Sequence, residues 1–181
     1  MTGVLRIAFF ALLALAIEGC APQLPDVTPK QEQRLSHMLT ALDRSVDPAE
    51  ARRLAHAALT YSRTLATRYR VDTSPWMHNF LVNIGLKDRG LCYQWADDLQ
   101  THLTRLHLKT LTLYPIGANI GNYWSEHNAL AVLPTHHVTP LSYGILLDPW
   151  RHSGDLYFVP VGEDTKYRWE VRRDRMGNDS R

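Results

Sequence analysis

The sequence has little net charge, little cysteine and no internal repeat. Its 20 lysine and arginine residues nearly balance 18 aspartate and glutamate residues, which leaves a formal net charge of +2. Because the basic residues form no dense stripe outside the C-terminal tail, we expect no nucleic-acid partner. Apolar runs long enough to span a membrane are also missing beyond the first residues. The chain of 181 residues is therefore expected to hold one core and not two.

The first residues have the pattern of a targeting segment. One positive charge within residues 1–6 precedes an apolar run over residues 7–17, which is too short for a stable transmembrane helix and typical of a signal peptide. The run ends at Ile17-Glu18-Gly19-Cys20, which resembles the lipobox of bacterial lipoproteins, although Glu18 is an unusual occupant. An ordinary secretory peptide or a hydrophobic N-terminus is the alternative.

The lipobox resemblance implies a cell-envelope location. It implies that residues 1–19 are removed as a signal peptide and that Cys20 carries the lipid that holds the protein on a bacterial membrane, facing the periplasm. Ala21 follows the cysteine, which by analogy with lipoproteins implies sorting to the outer membrane. Since the chain has two cysteines, lipidation of Cys20 leaves Cys92 without a disulfide partner. An unpaired thiol in an oxidising compartment favours a nucleophile, although burial would also protect it.

Cys92 lies where a loop turns into an amphipathic helix. Gly90 precedes it, and the apolar positions that follow recur at helical spacing: Trp95, Ala96, Leu99, Leu103 and Leu106. A thiol in the first turn lies near unpaired N–H groups and the positive end of the helix dipole, which favour a thiolate. The competing interpretation is inert packing, since free cysteine is among the most buried residue types.

Two later apolar strands each carry one titratable residue. His127 lies in the strand over residues 126–133, and Asp148 lies near the end of the strand over residues 144–150. His127 shares a strand face with Ala129 and Ala131, so we expect the Cys92 helix to pack on that face. Asp148 is suited to accept the second N–H of the imidazole, which fixes its tautomer.

This order of cysteine, histidine and aspartate resembles the transglutaminase-like group of papain-type cysteine enzymes. The resemblance rests on the segments at residues 90–96, 126–129 and 147–149, and it covers roughly residues 75–170. It implies a papain-like core and thioester chemistry on an amide, as hydrolysis, transamidation or cross-linking. Cys92 would then attack the carbonyl, His127 would transfer the proton and Asp148 would orient His127.

Other residues are candidates for binding. The N–H of Cys92, with Gln94 or Trp95, is expected to stabilise the oxyanion. Tyr123 and Trp124 end a loop rich in glycine and asparagine and are expected to form a wall of the cleft, unless they cap the core of a plain hairpin. We expect a protein or a cell-wall peptide as substrate, and no cofactor. The oligomeric state is not predicted.

Two other kinds of protein remain possible from the sequence. The first is a catalytically inactive envelope binding module with the same fold. The second is a metalloprotein that uses Cys92, His127 and either His136 or His137. Adjacent histidines on a strand or loop point in opposite directions and rarely chelate one ion, so we predict no metal site.

The predicted fold class is α+β, with N-terminal helices and the nucleophile helix packed on an antiparallel sheet of four or five strands. The predicted divisions are a signal peptide at 1–19, a tether at 20–30, one domain at 31–171 and a disordered tail at 172–181. Within the domain, helices are predicted over 31–42, 48–70 and 76–84, with Asp47 as N-cap and Glu50 at N3 of the second and Gly85 after the third. Strands over 156–161 and 166–171 are predicted to form a hairpin.

Overall fold

The computed structural model describes residues 24–122, 124–136 and 138–175. Over these residues the protein is α+β, with four α-helices and one five-stranded antiparallel sheet. The predicted signal peptide, Cys20, Tyr123 and His137 lie outside the described residues. Within the described ranges, the helices lack the length and hydropathy that a membrane crossing requires.

The helices are α1 (Pro29–Thr40), α2 (Pro48–Arg68), α3 (Pro75–Asn83) and α4 (Cys92–Thr104). The first three begin with proline directly after a capping side chain. Asp47 accepts a hydrogen bond from the backbone N–H of Ala49 at 2.8 Å, which confirms the predicted N-cap of α2. Gly85 follows α3 with φ of 78°, the left-handed conformation predicted for it.

The strands are β1 (Leu111–Ala118), β2 (His127–Pro134), β3 (Ile145–Asp148), β4 (Tyr157–Pro160) and β5 (Glu170–Val171). They lie in the order β4-β3-β2-β1-β5. Strand β2 is central and buried along its whole length. His127 is its first residue and Asp148 is the last residue of the neighbouring β3, so the antiparallel pairing brings both residues to one end of the sheet.

Helix α4 packs on the sheet face opposite to the predicted one. Leu130 and Val132 share a core with Trp95, Leu99 and Leu103 of the helix. Ala129 and Ala131 belong to a second apolar cluster, which contains Trp169. The prediction that α4 covers the alanine face was therefore wrong. The small alanines leave room for an aromatic ring, whereas the large leucine and tryptophan side chains of α4 fill the space above Leu130 and Val132.

The predicted hairpin between residues 156–161 and 166–171 is also wrong, because β4 and β5 lie at opposite edges of the sheet. Asp164 accepts hydrogen bonds from the N–H of Lys166 at 3.1 Å and from Nε1 of Trp169 at 2.8 Å. These bonds hold residues 164–169 out of the strand conformation. Trp169 then packs on the alanine face of β2, and the chain continues to pair with β1.

Both predicted domain boundaries need correction. Leu24 and Val27 pack against the core and Thr28 caps α1, so residues 24–30 belong to the domain and not to a tether. At the other end, residues 173–175 form a 3₁₀ turn, and Arg175 pairs with Asp97 of α4 at 3.0 Å. Residues 172–175 are thus ordered, in contrast to the predicted disordered tail.

Glu50 has a different role from the predicted capping of α2. Its side chain is buried and accepts hydrogen bonds from the backbone N–H groups of Lys109 and Thr110 and from the Thr110 hydroxyl. These residues directly precede β1. The Glu50 side chain therefore fastens the start of the sheet to α2, because buried polar groups require hydrogen-bond partners of this kind.

Candidate active site

Cys92 is the first residue of α4, and the loop before it is held by three side chains. Gly90 has φ of 128°, and a Cβ there would lie 2.3 Å from Nε2 of His78. Only glycine fits this position without displacing the histidine. His78 is buried and its Nε2 is hydrogen-bonded to the carbonyl oxygen of Arg89 at 2.9 Å, which fixes the loop that presents Cys92.

Gln94 and Trp95 hold the same loop from the helix side. The Gln94 carboxamide oxygen accepts hydrogen bonds from the N–H groups of Gly90 at 2.8 Å and Leu91 at 3.1 Å. Trp95 is buried, and its Nε1 donates to the carbonyl oxygen of Gly90 at 2.9 Å. The structure therefore places neither side chain on the wall of the cleft at Cys92. Both shape the helix start instead.

The structure brings Cys92, His127 and Asp148 together. Nε2 of His127 lies 2.7 Å from Oδ2 of Asp148, and the two residues are 2% and 0% exposed. With Nε2 engaged by Asp148, the ring nitrogen left for the Cys92 thiol is Nδ1. Cys92 and His127 line the same cleft, and the thiol is close enough to the ring to influence its protonation.

The electrostatic environment favours a protonated His127. Burial lowers the pKa of the imidazole, but the charge and hydrogen bond of Asp148, followed by those of Cys92, outweigh it and raise the pKa from 6.5 to about 9. Burial of Asp148 alone would raise its pKa, whereas His127 and then Arg151 hold it below the usual range. An imidazolium next to a thiol stabilises the thiolate by the same attraction.

Sequence reasoning missed Arg151, which anchors Asp148. Its Nε donates to Oδ2 of Asp148 at 3.0 Å, and its two terminal nitrogens bind Asp164 at 3.0 and 2.7 Å. Oδ1 of Asp148 also accepts from the backbone N–H groups of Trp150 at 3.2 Å and Arg151 at 3.1 Å. Arg151 is three positions from Asp148, and that spacing is the only signal in the sequence that could have suggested the pair.

Among the described residues, three aromatic rings surround His127. The ring centroids of Trp150, Tyr167 and Trp169 lie 4.8, 4.7 and 5.4 Å from that of the imidazole. These rings exclude water from the His127–Asp148 pair, and the lower local dielectric strengthens its electrostatic attraction. Tyr167 and Trp169 reach the site because residues 164–169 cross the sheet face instead of forming a hairpin.

The thiol lies in a cleft of about 360 Å³. Residues of α3, the start of α4 and the loop before β2 line it, including Trp76, Phe80, Tyr93 and Trp124. Trp124, expected from the sequence to form a wall of the cleft with Tyr123, lines it and is 82% exposed, so it lies on the rim. Asn79 of α3 also lines the cleft and accepts a hydrogen bond from Nε1 of Trp150 at 2.9 Å.

The described residues contain no cluster of three or more histidine, cysteine, aspartate or glutamate side chains that could hold a metal ion. His136 is exposed.

Comparison of the chain with family models, curated proteins and solved structures found no match. The geometry of the site is thus the basis on which a function can be proposed.

Proposed function

We propose that this protein is a cysteine enzyme that acts on amide bonds through Cys92, His127 and Asp148, with a papain-like, transglutaminase-like core. The observation that supports this most directly is a buried His127–Asp148 pair beside a thiol that opens a helix and lines a cleft. A purely structural cysteine requires neither the charged partner nor the cleft.

The mechanism follows from the positions of these groups. The thiolate of Cys92 attacks the amide carbonyl carbon, and the carbonyl electron pair moves to oxygen. When the carbonyl re-forms, the C–N bond breaks, and the leaving amine takes a proton from His127. Water or an amine then attacks the thioester carbon, and His127 accepts the nucleophile's proton. The C–S bond breaks when the carbonyl re-forms, which regenerates the Cys92 thiolate beside the protonated His127. Asp148 holds the imidazole in place and stabilises its charge in each step.

The substrate class we propose is a protein or a cell-wall peptide, because the cleft is open and its rim is aromatic. We also propose that lipid on Cys20 places the enzyme on the periplasmic side of the cell envelope.

Alkylation of Cys92 tests the proposal without a known substrate. The full chain carrying Cys20→Ser has Cys92 as its single thiol. A simple thiol, with a pKa of about 8.5, is almost fully protonated at pH 6 and reacts slowly with iodoacetamide. We expect Cys92 to react much faster than glutathione at that pH, and His127→Ala to remove most of the difference while leaving the circular dichroism unchanged.

A matched control is His56→Ala, which removes an exposed histidine of α2 whose partner is Glu32. We expect this variant to react like the wild type. The proposal fails if folded Cys92 reacts no faster than glutathione, or reacts only after denaturant is added.

A further inference from the structure

Asn128 places a buried amide donor beside the nucleophile. It follows His127 on β2, and successive residues of a strand point to opposite faces, so its side chain points toward α4. Asn128 is 4% exposed, and its Nδ2 lies 3.9 Å from Sγ of Cys92 and 3.3 Å from Oε1 of Glu126. The triad leaves this group without a role.

Arg172 fixes which way the amide faces. Its Nη1 donates to Oδ1 of Asn128 at 2.9 Å. A guanidinium carries only donors, so the amide atom that faces it must be the oxygen, and the N–H₂ group must face Cys92 and Glu126. Glu126 takes one of these two hydrogens, which leaves the other directed at the sulfur.

Arg172 is itself held firmly. Its side chain is 9% exposed, and it pairs with Glu126 at 2.5 Å and with Asp174 at 2.8 Å. The side chain reaches Asn128 across Gly117 of β1, which is paired with Asn128 in the sheet. A Cβ at Gly117 would lie 2.8 Å from Cδ of Arg172. The glycine therefore provides the space through which the arginine reaches the amide.

We propose that Nδ2 of Asn128, together with the backbone N–H of Cys92, forms the oxyanion hole of this enzyme, and that Arg172 is the residue that positions Asn128. The proposal rests on the proposed function. A donor 3.9 Å from the sulfur is within reach of an oxygen bonded to the carbon that the sulfur attacks. Cys92 is the first residue of α4, so no helical carbonyl lies one turn before it to accept from its N–H.

The charges around Asn128 are compatible with this role. Burial raises the pKa of Glu126, but the Gly121 N–H and Arg172 outweigh it and hold it below the usual range, so the carboxylate is ionised. The Arg172 guanidinium compensates that negative charge at 2.5 Å. An oxyanion that develops beside Asn128 therefore meets the N–H of the amide. The nearby Glu126 carboxylate is paired with Arg172, which reduces its repulsion of the oxyanion.

Two reagents separate the oxyanion hole from the nucleophile. Iodoacetamide reacts by displacement at carbon and forms no oxyanion. p-Nitrophenyl acetate reacts through a tetrahedral intermediate: the thiolate forms a bond to the acetyl carbon, the carbonyl electron pair moves to oxygen, and p-nitrophenolate leaves when the carbonyl re-forms. The acyl thioester is then hydrolysed to acetate. The release of p-nitrophenolate and the alkylation rate are measured on the same full-chain Cys20→Ser protein.

We expect Asn128→Ala to lower the acylation rate by about 10²- to 10³-fold, the usual effect of losing one oxyanion donor, and to leave alkylation close to that of the wild type. Arg172→Ala leaves Asn128 in place but frees its side-chain amide to rotate. We therefore expect this variant to lower the ratio of the acylation rate to the alkylation rate. Arg172→Lys keeps one donor and should restore part of that ratio. Arg173→Ala, at the exposed neighbouring residue, is the matched control and should leave the ratio unchanged.

The outcomes distinguish this inference from the proposed function. Rapid alkylation in the wild type, combined with normal acylation in a folded Asn128→Ala variant, would overturn the oxyanion hole and leave the triad standing. If Asn128→Ala does not fold, the Arg172 variants test the proposal instead. An unchanged ratio of acylation to alkylation in Arg172→Ala would overturn the role of Arg172 in positioning Asn128. If wild-type Cys92 is alkylated no faster than glutathione, the proposed function itself is contradicted.

Discussion

Nε of Arg151 lies 3.0 Å from the same Asp148 oxygen that accepts the 2.7 Å hydrogen bond of His127. The carboxylate is therefore held from both sides, and its second oxygen accepts two backbone N–H groups. Because every acceptor direction is filled, Asp148 cannot rotate away from the imidazole. Arg151 also lowers the cost of burying this carboxylate, as a buried charge needs a partner.

Asp148→Asn should abolish most activity and lower stability. Both carboxylate oxygens face donors, so the amide N–H₂ group meets two donors in either position. In the Oδ1 position it opposes the two backbone N–H groups, and in the Oδ2 position it opposes Arg151 and leaves His127 in the wrong tautomer. The equivalent change in a serine triad lowers the rate by about 10⁴-fold, and we expect a similar loss in acylation by p-nitrophenyl acetate. Acylation at the wild-type rate in a folded variant would remove Asp148 from the mechanism.

Gly90→Ala should displace the loop that presents Cys92. The new Cβ would lie 2.3 Å from the His78 ring at a φ of 128°, so we expect a lower melting temperature and slower alkylation of Cys92. Gly85→Ala is the matched control, since its φ is 78° and nothing lies within 4 Å of the new Cβ. That variant should lose only about 1 kcal/mol of its free energy of unfolding, the cost of a side chain at positive φ. Its Cys92 should be alkylated at the wild-type rate. Equal effects of the two substitutions on alkylation would contradict this account.

The stability of the protein should depend on the protonation of His127. Its pKa is raised from 6.5 to about 9, so the contribution of the ion pair is fully present below pH 6.5 and is lost as the pH rises through 9. Asp148 has a lowered pKa, so its contribution is present at neutral pH and is lost in acid.

Urea denaturation between pH 6 and 10 measures this dependence as the difference in free energy of unfolding between the wild type and His127→Gln. The glutamine amide can still donate to Asp148 but does not titrate. We expect the difference to shrink toward pH 10. A difference that stays constant over this range would show that the pKa of His127 is not raised in the folded protein.

Cys20→Ser should release the protein from the membrane fraction if the lipobox resemblance is correct. Acyl chains contribute about 0.8 kcal/mol of membrane binding per buried CH₂, so their loss removes most of the anchoring free energy. Cell fractionation followed by immunoblotting measures the shift. Unchanged membrane association in a variant with the leader intact would contradict a lipid anchor at this cysteine.

The sequence alone determined the features that depend on neighbouring residues. The N-cap at Asp47 and the left-handed conformation of Gly85 follow from interactions within one turn of a helix. The α+β class follows from the helical and strand patterns of apolar residues along the chain. The strand at His127 follows from its continuous apolar run. Cys92, His127 and Asp148 were candidates for the same reason, because each is a chemically active residue at the start or end of a recognisable element.

The tertiary structure alone decided which distant groups meet at the site. Arg172 binds Asn128 from 44 positions away, and no local pattern in the sequence indicates that pair. Residues 166–169 alternate polar and apolar side chains as a strand does, yet they do not form one. Asp164 binds Trp169, which packs into the space above the alanine face of β2. The chain then continues to β5, at the edge of the sheet opposite β4. Helix α4 could also have packed on either face of β2 by its pattern alone. The volume of its side chains decided the face, since close packing is a property of both partners together.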